Sequence, residues 1–79
     1  MLTTGNQLKA ARVLADVEQI ALAKASGVSI GTIRNMEAQG AEILRSGLRT
    51  IKAVQSALEA KGIEFLNHGE PGVKLKAKP

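Results

Sequence analysis

Between Gln19 and Met36 the chain reads Gln19-x3-Ala23-x3-Gly27-Val28-x4-Ile33-x2-Met36, and this spacing restricts the fold more than any other feature. Two short helices that cross steeply need a small residue where they nearly touch, and Ala23 supplies it. They also need a sharp turn between them, for which Gly27 enters the left-handed region without steric cost. Leu22, Val28, Ile33 and Met36 then fall where they fasten the second helix to the first from inside. Ser29 is the expected cap of that second helix, and Gly40 its stop.

The flanks continue the helical pattern. Asn6 is the expected cap of a first helix carrying Leu8, Ala11, Val13, Leu14 and Ala15 at near-helical spacing, with Val17 at its junction to the second. Downstream, Ser46 is the expected cap of a helix whose apolar face is Leu48, Ile51, Val54, Ala57 and Leu58, ending at Lys61-Gly62. In the intervening stretch 41–47, Ile43 and Leu44 fit either a helical turn or a loop over the core. Beyond Gly62 the period falls to two. Ile63-Glu64-Phe65-Leu66 and Val73-Lys74-Leu75-Lys76 read as strands around a separator rich in turn formers. A lone two-stranded hairpin is marginal in water, so this one must pack on the helices or pair with a second copy. Ala77-Lys78-Pro79 reads as a frayed tail. The expectation is a mainly α chain of four to five helices with a C-terminal β-hairpin: residues 1–62 form the helical domain and 63–79 the hairpin and basic tail.

Composition narrows the chemistry. Seventy-nine residues make one domain with a thin core, and with Phe65 as the only aromatic residue that core must be aliphatic. The chain has no cysteine, which excludes disulfides and thiolate metal sites. Its one histidine, His68, sits among turn formers and reads as a surface residue. No nucleophile–base–orienter set can be assembled from it, and Gly27–Gly31 lacks the Gly-Lys-Ser/Thr of a phosphate loop. The sequence therefore reads as a non-enzyme with no metal, no cofactor and no small-molecule ligand. A net charge of +4 points to a polyanionic partner. No run approaches the ~20 apolar residues of a membrane span, so a cytoplasmic protein with no membrane partner is expected.

The string Gln19–Ser29 resembles the second helix and turn of the Cro/CI-type helix-turn-helix family, also called the XRE family, and Thr32–Glu37 resembles its third helix. The resemblance covers about residues 6–62 and implies a double-stranded DNA partner and a nucleoid-associated location. It places Ile30, Gly31, Arg34 and Asn35 at base edges in the major groove. Asn35 suits adenine, Arg34 suits guanine or a phosphate, Ile30 a thymine methyl, and Gly31 a close backbone approach. Gln19 matches the family's phosphate-contacting glutamine, with Thr32, Arg45, Ser46 and Arg49 as further phosphate candidates. Glu18 stands where the family often has Ser, Thr or Asn as cap. Arg12 and Glu37 occupy the positions of a family salt bridge that locks the recognition helix to the body. The implied function is a sequence-specific transcriptional regulator, a repressor or autoregulator, acting as a homodimer on a two-fold operator. Ile63, Phe65, Leu66, Val73 and Leu75 are the expected dimer interface. The alternative, motivated by Ile30, Gly31 and Glu18, is a protein-interaction module such as an antiactivator that kept the scaffold without DNA binding.

Overall fold

A computed structural model describes residues 1–67 and 69–76; His68 and the tail 77–79 lie outside the described residues. Among the described residues four helices are followed by an antiparallel hairpin: α1 Gly5–Leu14, α2 Gln19–Ser26, α3 Ile30–Ala38, α4 Leu48–Glu59, β1 Ile63–Leu66 and β2 Gly72–Leu75. The mainly α architecture with a C-terminal hairpin is as the sequence implies, at the lower of the two expected helix counts.

Both expected caps beside the motif are displaced. Thr4, not Asn6, caps α1, its hydroxyl accepting the Gln7 amide at 3.1 Å. Asn6 already lies inside the helix, and its backbone N–H is spent on the Gly40 carbonyl at 2.8 Å. At α4 the cap position falls on Gly47 rather than Ser46, and no side chain caps that helix. The apolar stripe of α1 is also narrower than its composition suggests. Leu8 and Ala11 are fully buried one turn apart, whereas Val13 and Leu14 lie off that stripe, 63% and 44% exposed.

The stretch 41–47 is not a helix. Ile43 forms a single antiparallel bridge with Thr4, and the Leu44 amide donates to the Thr3 carbonyl at 2.8 Å. Extended backbone turns successive side chains to opposite sides, so Leu44 joins the core while Ile43 faces water. The N-terminal segment thereby ties down the loop that leaves α3.

The core is aliphatic, with Leu8, Leu22, Ile33, Met36, Val54 and Leu58 at its centre, and β1 adds Ile63 and Phe65. In the hairpin Ile63 pairs with Leu75, Glu64 with Lys74, Phe65 with Val73 and Leu66 with Gly72. Ile63 and Phe65 were expected at a dimer interface, but their side chains are consumed by this chain's own core. Alternation sends Ile63 and Phe65 inward together, and burial against the helices satisfies them. Gln7 fastens the hairpin to α1. This buried amide accepts the Thr3 N–H at 2.7 Å and donates to the Gly72 carbonyl at 3.0 Å and to Asn67 Oδ1 at 3.2 Å. Among the described residues no helix is long and apolar enough to cross a membrane.

Candidate nucleic-acid interface

The connection between α2 and α3 is three residues long, and each has a task. Gly27 ends α2 at φ 73°, its N–H returning to the Ala23 carbonyl. A Cβ there would meet nothing within 4 Å, so glycine is required for its backbone angle and not for space. Val28 packs against the core beside Ala23. Ser29 caps α3, its hydroxyl accepting the Thr32 N–H at 3.2 Å and donating to Thr32 Oγ1 at 2.9 Å. Leu22, Ile33 and Met36 are buried between the helices, as their spacing implied.

This packing presents one side of α3 outward. Gly31, Arg34 and Asn35 are exposed and Ile30 is half-buried, all in the first two turns of the helix. Arg34 has no ion-pair partner among the described residues. With the Ser29 hydroxyl bonded to the Thr32 amide, the N–H groups of Ile30 and Gly31 remain without an acceptor among the described residues. A Cβ on Gly31 would likewise meet nothing within 4 Å. The start of α3 is thus a positive helix end with room above it.

The start of α2 has the same character. Glu18 occupies its cap position without a side-chain cap bond, leaving the first-turn amides open. Gln19, expected to grip a phosphate, instead turns its Nε2 to Glu37 Oε1 at 3.2 Å. That tie completes a network at the far end of α3. Arg12 holds Glu37 through two bonds, Nε to Oε2 at 2.7 Å and Nη2 to Oε1 at 3.2 Å, and donates from Nη1 to the Val17 carbonyl at 3.1 Å. Side chains of α1, α2 and α3 therefore meet on one carboxylate, and the expected Arg12–Glu37 pair is present. The Gln19–Glu37 contact joins two helices across a long sequence separation, so no local pattern signals it.

The remaining phosphate candidates sit on and before α4. Arg45 is engaged by Glu42 at 3.6 Å, an exposed pair of the kind that contributes little to stability. Ser46 is half-buried and Arg49 exposed, with no ion-pair partner for Arg49 among the described residues. Of the expected dimer residues, Leu66 and Val73 are half-buried and Leu75 is 45% exposed. Among the described residues no three His, Cys, Asp or Glu side chains are grouped to hold a metal. Set against known proteins, the chain matches no family model and no curated protein.

Proposed function

We propose that the chain is a Cro/CI-type helix-turn-helix regulator that reads duplex DNA with the start of α3, acting as a homodimer on a two-fold operator. The observation that carries this reading is Gly31. A first-turn glycine costs about 0.5 kcal/mol relative to alanine, and the space beside Gly31 is open, so packing does not require it. It stands next to exposed Arg34 and Asn35, with its own N–H free of any protein acceptor among the described residues. That combination suits a partner whose surface comes close to the helix backbone and offers acceptors. Base edges and phosphates in a major groove fit this requirement. Asn35 then reads adenine, Arg34 reads guanine or holds a phosphate, and the open amides of α2 with Arg49 take backbone phosphates.

In a homodimer the two α3 helices lie about 34 Å apart, one turn of DNA. Footprinting on the DNA flanking its own gene tests the proposal. A protected pair of half-sites with that spacing, and binding that weakens with salt at a log–log slope near −0.9 per phosphate neutralised, is the expected result. Asn35→Ala should relax one base position at a cost of about 1–3 kcal/mol while the fold survives. Absence of any preferred site together with a flat salt response would rule the reading out in favour of a protein-interaction module.

A further inference from the structure

The hairpin has an unused edge. The Lys76 N–H donates to the Gly62 carbonyl at 2.8 Å, which fixes the alternation of the ladder. Glu64 and Lys74 therefore exchange the hydrogen bonds of β1 and β2. Val73 and Leu75, one residue away on either side, turn their N–H and C=O groups to the outer side of β2. Neither residue has a backbone partner there among the described residues. Beside this edge lies a groove of about 350 Å³ lined by Asn6 and Ala10 of α1, by Ala41, and by Pro71 and Val73. It meets the protein beyond the C-terminal end of α3, away from Ile30, Gly31, Arg34 and Asn35.

We propose that this edge takes an extended peptide in which apolar and acidic residues alternate. An added strand bonds to Val73 and Leu75 and places every second side chain on the groove side and the others on the outer side. On the groove side it meets Val73, Ala10 and Pro71, which suit apolar side chains. On the outer side it meets Lys74 and Lys76, both exposed; Lys74 already pairs with Glu64 at 3.8 Å, whereas Lys76 has no carboxylate partner among the described residues. Charge decides against a second copy as the occupant. Two β2 strands paired about a two-fold axis that use Val73 and Leu75 put Lys74 directly opposite Lys74, an unfavourable like-charge pair. Shifting the register one way brings Pro71, which has no N–H, into the ladder, and shifting it the other way puts Lys74 opposite Lys76. The proposal does not depend on DNA binding.

The test uses the full chain and three labelled octapeptides, alternating Val/Glu, Val/Lys and Pro/Glu, with binding read by fluorescence anisotropy. The Val/Glu peptide should bind at least about tenfold more tightly than either other peptide, since one carries the opposite charge and the other cannot form a strand. Leu75→Pro removes an outward N–H without touching the β1 ladder and should weaken Val/Glu binding about tenfold or more. Should that variant lose its helical circular dichroism, Lys76→Glu on an exposed side chain carries the same test, with Lys52→Glu on α4 as the control that should change nothing. Equal binding of the three peptides, or undiminished binding by Lys76→Glu, overturns the proposal. So does a dimer in sedimentation that Leu75→Pro converts to monomer, which would assign the edge to a second copy.

Discussion

Gly5 and Gly31 border the same helix and do opposite things. A Cβ on Gly5 would stand 2.3 Å from the Met36 carbonyl oxygen and 2.8 Å from the Gly40 amide nitrogen, so α1 reaches the end of α3 only because that side chain is missing. A Cβ on Gly31 would meet nothing within 4 Å. The first glycine is demanded by packing inside the molecule, and the second is left unexplained by anything inside it. The contrast extends to their neighbours. Near Gly5 the charged groups are neutralised internally, with Arg12 and Glu37 paired and largely buried, while around Gly31 the polar groups are exposed and unspent. One face of α3 is thus fixed by its own protein and the other is left open.

The inner face should fail in stability and the outer face in binding. Arg12→Ala leaves the Glu37 carboxylate, its side chain 7% exposed, with only the Gln19 amide, and should lower unfolding free energy by about 3 kcal/mol or more in urea titration. Replacing both partners, Arg12→Met with Glu37→Leu, should recover most of that loss; an equally damaged double variant would show that charge is not the cause. Gly5→Ala should cost about 2 kcal/mol, read as a lower Tm by calorimetry, because the obstacle is backbone and no rotamer change relieves it. Gly31→Ala should do the reverse, raising stability by about 0.5 kcal/mol while weakening operator binding about tenfold. If affinity instead rises with stability, the comparison breaks. Arg49→Ala is the smallest change, with Tm unaltered and the salt slope of DNA binding reduced by about 1.

Much of this arrangement was legible before any tertiary structure. The small residue at Ala23, the glycine at 27, the serine cap at 29 and the four apolar fasteners are local signals, and the α2–α3 unit realises them all. The Arg12–Glu37 pair came from resemblance alone, and its two bonds are present. The caps outside the motif fall at Thr4 and Gly47, although Asn6 and Ser46 are the better cappers in isolation. What moved the boundary at α1 is the Gly40 carbonyl, a contact from another part of the chain. Gln7 offered no signal at all. A glutamine between Asn6 and Leu8 looks like a solvent-facing position, yet it is buried because the hairpin brings the Leu66, Asn67 and Gly72 acceptors to it.

The hairpin shows most plainly where the two kinds of information part. Alternating hydrophobicity and the turn formers between residues 67 and 72 determined that two strands would form, since period and turn chemistry act over a few residues. Which side of the strands is consumed, and by what, is set by burial, which depends on elements distant in sequence. Ile63 and Phe65 could have met a second copy or the helices, and the tertiary structure gives them to the helices. So too with the segment Gln19–Met36. Its sequence determined a turn between two helices, and only the packing of α1 and α4 around it decided that Gly31, Arg34 and Asn35 face outward while Gln19 turns in toward Glu37.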